Sequence, residues 1–524
     1  MTKSTPTLLD SQAPFERFVF ALLAQGVAQQ SPPIAGAAVE AALLALGGGK
    51  RARAAVQAMA TALAFLDTEL PATASILDEE DLATAATHRV VCPVLTERIQ
   101  RKIKGIEAES VGAHICSVGG CGARAHSRGR ADLTLIGRHG KMLLNVRQVE
   151  CTDPACGHMY SPAFKVLGLD DGRFTPGCSE AVSMMATTVP HGKAQGLLAD
   201  LLQIEISEHA IQDLVEKRGE VLLARDLAEA ASHDPEDATG LARSCGRPAD
   251  AVAATEAPEV AYLEMDGVLP MVRELLPKQS TEVPGARGGK GRKYNVEGAE
   301  VKNGVLYNAK AQAQEMPSRG CLLDRNYVSF LGHWKPFALL LWLAMLRLRY
   351  DQAKLLVILG DGAEWIRSFA AWLPMQGRIL LILDFFHAVH RAWEVARALY
   401  GDGTEKCRER AQLWREVIEL GEVRLVIQEL KEIKDSREAV QKKVNELITY
   451  FENNMDRMNY PDYKARGLRY TSGIVESANF HVTGARLKQQ GMRWSKKGAS
   501  ELAFLRADLC NGRWASRSRS LLAA

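Results

Sequence analysis

Two uninterrupted apolar runs, Lys354-Leu-Leu-Val-Ile-Leu359 and Arg378-Ile-Leu-Leu-Ile-Leu383, flank a segment, 364–374, whose apolar residues recur at helical spacing. A strand with no polar alternation has to be covered on both faces, so the three segments predict a βαβ unit with buried parallel strands. Upstream, Val260-Ala-Tyr-Leu-Glu-Met265 ends at Asp266, 299–308 and 321–331 alternate like strands, and 336–349 is helical. The order along the chain is therefore three strands, helix, strand, helix, strand. From 401 to about 467 the pattern is charged and helical with no strand, which reads as an insertion.

The flanking regions have other textures. Residues 1 to about 105 are rich in Ala and Leu, with helical spacing at Phe15, Phe18, Ala21 and Leu22 and at Val39, Leu43 and Leu44, broken by Ser31-Pro32-Pro33 and Gly47-Gly48-Gly49. Residues 111–165 turn to Gly, Cys and alternation, 179–232 are helical again, and 234–258 have linker composition. Ser207 heads a segment with apolar residues at Ile211, Leu214 and Val215, just after a shorter helix at 193–202. This pair suits a helix-turn-helix, and ordinary helix packing explains it as well. The expected division is 1–108, a helical N-terminal domain; 109–165, a zinc ribbon; 170–232, helical; 233–258, a linker; 259–400, a mixed α/β core; 401–467, its helical insertion; and 468–512, the end of the core. No internal repeat is visible.

Composition narrows the class. The chain has 524 residues, 47 % hydrophobic and 24 % charged, the balance of a globular multidomain protein. The longest apolar run, 337–346, lies between Lys335 and Arg347 and falls short of the roughly 20 residues a bilayer requires. The first thirty residues include Asp10 and Glu16 and lack the zones of an export signal, so a cytoplasmic protein is expected. The net charge of +3 conceals a basic end, with twelve Lys or Arg from Lys464 to Arg519 against Glu476, Glu501 and Asp508. A polyanion such as nucleic acid fits that asymmetry, and a solvated basic face is the plain alternative.

Of the ten cysteines, Cys92, Cys116, Cys121, Cys151, Cys156 and Cys178 precede residue 180. In a reducing compartment such clustering favours metal over disulfide. Cys116-Ser-Val-Gly-Gly-Cys121-Gly and Cys151-Thr-Asp-Pro-Ala-Cys156-Gly are similar knuckles separated by a hairpin-like stretch containing Leu133-Thr-Leu-Ile-Gly and Met142-Leu-Leu-Asn-Val. Two thiolate pairs joined by a hairpin supply the four tetrahedral ligands of one structural Zn²⁺, with no open position for substrate. Four residues between paired cysteines, where two are usual, is a departure; His126 and His158 lie close enough to substitute for a thiolate, and unligated buried cysteines are the alternative.

Asp266 in Met-Asp-Gly and Asp361 in Leu-Gly-Asp-Gly-Ala-Glu-Trp-Ile end the first and fourth strands. Ligands of open α/β sheets bind outside the carboxyl ends of strands, so two Asp-Gly pairs at equivalent ends are a site candidate. Glu476 stands in Ser472-Gly-Ile-Val-Glu476-Ser-Ala-Asn-Phe480-His481, a helical stretch closing at Gly491 that becomes basic farther on. A carboxylate there is expected if it holds a cation against phosphate.

These motifs, with Leu-Asp384-Phe-Phe-His387-Ala-Val-His-Arg-Ala-Trp393 and Arg486-Leu-Lys488-Gln-Gln-Gly-Met-Arg493-Trp494, resemble bacterial insertion-sequence transposases of the ISKra family, in the Mutator-like group of DDE transposases. The likeness runs from the cysteines to about residue 510 and is most specific over 361–393 and 473–494. It implies a ribonuclease-H-like core in which Asp266, Asp361 and Glu476 are the catalytic acids and hold two Mg²⁺, replaceable by Mn²⁺, roughly 3.5–4 Å apart. Asp266 would bridge the ions. Asp384 and His387 fit an accessory motif, with an N-capping Asp and a part-buried His as the alternative. Water would first cut the transposon end, and the freed 3′-hydroxyl would then attack target DNA. The implied partner is double-stranded DNA, bound by a homo-oligomer, a dimer on DNA, associated with the nucleoid. Arg486, Lys488, Arg493, Trp494 and Lys497, and a Gly-rich loop with Arg287, Lys290, Arg292 and Lys293, are the expected DNA contacts. A domesticated DNA-binding protein without catalysis and a structure-specific nuclease are the alternative functions.

Overall fold

The computed structural model describes residues 76–109, 114–116, 118, 120–169, 173–236, 248, 257–275, 283–284, 290–291, 294–310, 312–316, 319–322 and 324–517. Most of the expected N-terminal domain and linker, and Arg287, Arg292 and Lys293, lie outside them. The described residues divide into two compact units, one of those between 76 and 181 with 195–206, the other of 182–194 and those between 207 and 517.

In the first unit a 34-residue helix, α1 (Ile76–Glu109), precedes a sheet of order β1-β2-β3-β4. Its body is a long hairpin of β2 (Arg124–Gly137) and β3 (Gly140–Cys151), turned at Arg138 and His139 and bulged between Ser127 and Gly129. Alternation in β3 sends Met142, Leu144 and Val146 inward against Ile103 of α1 and Phe164, while Leu143 faces out. The short strands β1 (His114–Ile115) and β4 (Met159–Tyr160) pair with the open end of the hairpin, bringing the knuckle residues to it.

After helices at Pro162–Val166, Pro176–Thr188 and His191–Leu202, Ser207 caps α2 (Glu208–Ser232, 25 residues) as its sequence suggested, its Oγ accepting from Ala210 N. The second unit is built on a mixed sheet of order β13-β10-β5-β14-β15. The strands are β5 (Val260–Val268), β10 (Val301–Asn308), β13 (Asn326–Leu331), β14 (Leu355–Gly360) and β15 (Ile379–Leu383), with β6 (Met271–Leu275), β7 (Val283–Pro284), β8 (Lys290–Gly291), β9 (Tyr294–Gly298), β11 (Gln312–Met316) and β12 (Arg319–Leu322) forming separate hairpins. β10 is antiparallel to both neighbours, whereas β5, β14 and β15 are mutually parallel, as the two apolar runs require. One expected strand, 321–331, is two: Arg319–Leu322 pairs with Gln312–Met316 in a separate hairpin, and the charged pair Asp324-Arg325, unsuited to a buried ladder, breaks the run before β13.

One face of the sheet packs on α3 (Trp334–Leu348) and α4 (Glu364–Trp372) through Leu263, Met265, Ile358 and Phe337. The other face, carrying Tyr262, Tyr307, Val357 and Leu359, is covered by α5 (Phe385–Tyr400) and the insertion helices α6 (Glu405–Glu419), α7 (Val423–Glu432), α8 (Glu438–Asn454) and α9 (Tyr460–Ala465). The insertion is thus part of the core, anchored by the buried Trp414, Phe451 and Tyr460. Among the described residues no helix is long and apolar enough to cross a membrane.

Candidate functional site

The four knuckle cysteines converge. Cys116 Sγ lies 3.7 Å from Cys156 Sγ and Cys121 Sγ 3.6 Å from Cys151 Sγ. All four sulfurs lie within 4.8 Å of one another. Zn–S bonds of about 2.3 Å at the tetrahedral angle give S···S edges of about 3.8 Å, so the donors have the size and the soft chemistry of a Zn²⁺ cage. The longer spacing is accommodated by turns in which Cys121 N donates to Val118 O and Cys156 N to Asp153 O, with Gly120 and Gly157 at positive φ. Asp153 N donates to Cys151 Sγ. His126 is half exposed beside Glu150 and is not in the cluster, nor is His158.

The second site is a row across the sheet. The registers put Ser329 opposite Asn303 and Asn303 opposite Asp266. Gly360 pairs with Met265 and Leu383 with Gly360, so Asp361 and Asp384, each one residue farther on, continue the row at the ends of β14 and β15. One polar residue per strand therefore lines the edge. Asp266 Oδ1 accepts from Gly267 N at 2.7 Å and Oδ2 from Asn479 Nδ2 at 2.6 Å. Burial raises the Asp266 carboxyl above its usual range, the Asp361 charge adds to this, and the hydrogen bonds and His387 oppose it. Asp361 Oδ1 accepts from Ala363 N, and its carbonyl from Tyr450 OH of α8 at 2.8 Å. Gly362, at φ +90, makes the turn that a side chain would block against Leu383 and Asn454.

Asp384 is fully buried and committed. Its Oδ1 accepts from His387 N (2.6 Å) and His387 Nδ1 (3.1 Å), capping α5, and its Oδ2 accepts from Ser472 N. Burial would raise this carboxyl, but the His387 and Ser472 bonds hold it below the usual range. His387 is raised, first by its bond to Asp384 and then, against the opposing effect of burial, by the charges of Asp384, Asp266 and Asp361.

Glu476 is exposed on α10 (Gly473–Ala478), a shorter helix than the expected run to Gly491, because a π-helical segment, Asn479–Gly484, follows it. Three residues on, on the same helical face, is Asn479, which touches Asp266. The helix is docked by a residue the sequence argument passed over. Glu264 Oε2 accepts from Ile474 N (3.1 Å) and Val475 N (2.9 Å), and its Oε1 from Tyr307 OH (2.6 Å). Burial lifts the Glu264 carboxyl to about 7 against those bonds. Asn303, Ser329 and Asn479 belong to the site as well, and nothing in their local sequence marks them, since β10 also carries Lys302 and Asn308. The three acids do not draw together as the thiols do: among the described residues, the cysteine cluster is the group of three or more such ligand atoms that closes to 4.8 Å.

The expected DNA contacts separate. Arg486 is 1 % exposed, its Nε donating to Ala186 O and its guanidinium stacked on Trp494, with burial lowering it to about 10. It cannot reach a phosphate, and that expectation is corrected: the side chain is a core strut. Trp494 is half-buried over it and joins a hairpin through Trp494 N to Met271 O and Arg273 N to Trp494 O. Lys497 is exposed but paired with Glu220. Lys488 and Arg493 are exposed. Phe386 and Phe480, more than half exposed, stand beside His387 and one turn beyond Glu476.

A family model described as an uncharacterised protein family, UPF0236, matches residues 334–520, less than half of the chain. The matched stretch holds Asp361, Asp384 and Glu476 and excludes Asp266 and the knuckles. No curated protein matches. Among solved structures the chain is similar to the Drosophila P element transposase strand transfer complex, at 8 % identity and a TM-score of 0.21, over 67 % of this chain and 82 % of that one. A likeness so distant carries no argument about fold or activity.

Proposed function

We propose that this chain is a DDE transposase of the ISKra kind, with a ribonuclease-H-like core and a zinc ribbon. The observation that carries the proposal is the polar row: Asp266 near the end of β5, where the strand runs on to Val268, Asp361 just past the end of the neighbouring β14, and the Glu476 helix held against Asp266 through Asn479. The succession of three strands, helix, strand, helix, strand supports the core reading. The carboxylates of Asp266 and Asp361, on half-buried residues, and of Glu476, on an exposed one, fit hard divalent ions such as Mg²⁺ that retain water. When bound, such ions supply charge stabilisation for in-line phosphoryl transfer. The chain's own part is positional. The sheet spaces the two aspartates, Glu264 and Asp384 hold the start of the Glu476 helix, and His387 is held beside the row by its bond to Asp384. Lys488 and Arg493, exposed on the same polypeptide stretch, are the retained candidates for phosphate contact. Cys116, Cys121, Cys151 and Cys156 would hold Zn²⁺ as a structural ion.

The test is end cleavage. With Mg²⁺, the protein should nick DNA carrying the boundaries of the element that encodes it and join the 3′ ends to a second DNA. Asp361→Asn should fold normally and lower both steps by several orders of magnitude. Binding without nicking by the wild type would indicate a silent DNA-binding protein, and nicking without joining a nuclease.

A further inference from the structure

We propose that Asn479 is a positioning residue for Asp266, set by a one-way hydrogen-bond relay through Asn303; this rests on the divalent-metal reading above. A carboxylate only accepts hydrogen bonds, so the Asn479 atom 2.6 Å from Asp266 Oδ2 is the amide nitrogen. The Asn479 oxygen then faces the other way and accepts from Asn303 Nδ2 at 2.7 Å. That leaves Asn303 Oδ1 as an acceptor, filled by Thr483 Oγ1 at 3.0 Å and Ser329 Oγ. The polarity at Asp266 thus fixes every link back to the hydroxyls, and each link is sterically held. Asn303 is 1 % exposed, Ser329 1 % and Thr483 0 %.

The π segment explains how one short helix reaches both ends of this relay. Asn479 and Thr483 both lie in it, and both reach Asn303. An extra residue per turn re-aims side chains, which is why such segments recur at functional sites. The consequence for Asp266 is that each oxygen is pinned by one donor, Gly267 N and Asn479 Nδ2, leaving the remaining lone pairs to a cation. A neutral amide orients the carboxylate without neutralising it, as a cationic partner would. The same bond ties the helix of Glu476 to the strand of Asp266, so one side chain governs both acids.

Mn²⁺ binding to the zinc-loaded full chain, followed by the electron paramagnetic resonance of free Mn²⁺, tests this without requiring catalysis. Asn479→Ala should weaken binding roughly 10- to 100-fold, the usual cost of losing an outer-shell partner. In an Asp266→Asn background the same change should cost nothing more, because Asn479 acts through Asp266. An equal loss in both backgrounds would mark a merely structural residue and overturn the inference. Wild-type affinity in Asn479→Ala, with affinity lost in Asp266→Asn, would also overturn it while leaving the metal reading intact. If Asp266→Asn bound Mn²⁺ like the wild type, the metal reading would fall first and the inference with it. Should the alanine variant melt early, Asn479→Ser, whose hydroxyl is too short to reach Asp266, is used in the same cycle with the same outcomes.

Discussion

Four sulfurs gathered by one hairpin and three carboxylates gathered from a sheet edge and a later helix differ first in how far apart their partners lie along the chain. The thiol pairs span 40 and 30 residues and are brought together by a register that runs unbroken in direction from Gly137 and Gly140 to Ala125 and Cys151. The link from Asp266 to the Glu476 helix spans 213 residues and needs an intermediary, Asn479. The second difference is charge. Neutral thiols can sit at van der Waals distance before metal arrives, whereas crowded carboxylates repel and raise one another's pKa. The acidic row is accordingly spread over strands and interleaved with amides and a histidine, and local spacing can describe the first site but not the second.

The largest effect is expected at the knuckles. Cys121→Ser should leave three thiols, reduce zinc retention severely, since structural zinc contributes roughly 10 kcal/mol or more to such domains, and unfold the hairpin sheet while the five-stranded unit keeps its own melting transition. Metal analysis and calorimetry of the same sample decide it; freshly purified wild-type protein without zinc would remove the basis of the comparison.

Next is Arg486. Replacing it with Ala removes a buried guanidinium and its stacking on Trp494, so stability should fall by about 2–3 kcal/mol. Urea unfolding would show this, and unchanged stability with weakened DNA binding would reinstate Arg486 as a contact.

Glu264 gives a pH signature. Its carboxyl rises from 4.5 to about 7 on folding, so folding takes up a proton between those values. The contribution of this group is then fully present below about pH 4.5, is lost as pH rises toward 7, and is constant above. Glu264→Gln lacks the titration, so its stability relative to wild type should improve across that window by roughly 3 kcal/mol. Parallel stability curves from pH 4.5 to 8 would mean that the buried acid does not titrate with folding.

The smallest effects belong to Lys488 and Arg493. Each change to Ala should leave the melt unaltered and lower the salt dependence of DNA binding by about one unit of slope, as one lost phosphate contact does. Unchanged slopes would make them a solvated face.

Some features follow from the chain read as a line. The parallel strands β14 and β15 are legible because a run such as Leu-Leu-Val-Ile-Leu has no polar face to offer water, and the Ser207 cap because a side-chain oxygen at that point satisfies a helix donor locally. The cysteine cluster is legible because both halves of its ligand set flank the open end of one hairpin. Asp361 stands out as the first polar residue after an apolar strand, and Asp266 as an Asp-Gly pair near the end of another. Tertiary structure alone decided the rest. Arg486 looks like any surface cation in the sequence, and only the packing of Ala186 and Trp494 around it makes it a strut. Glu264, Asn303 and Asn479 carry no local signal of partnership, because each acquires its role from a residue on another strand or helix. Hydrophobic periodicity reports which face of an element is buried; it does not report what the buried polar atoms meet there, and in this protein those meetings build the acidic site.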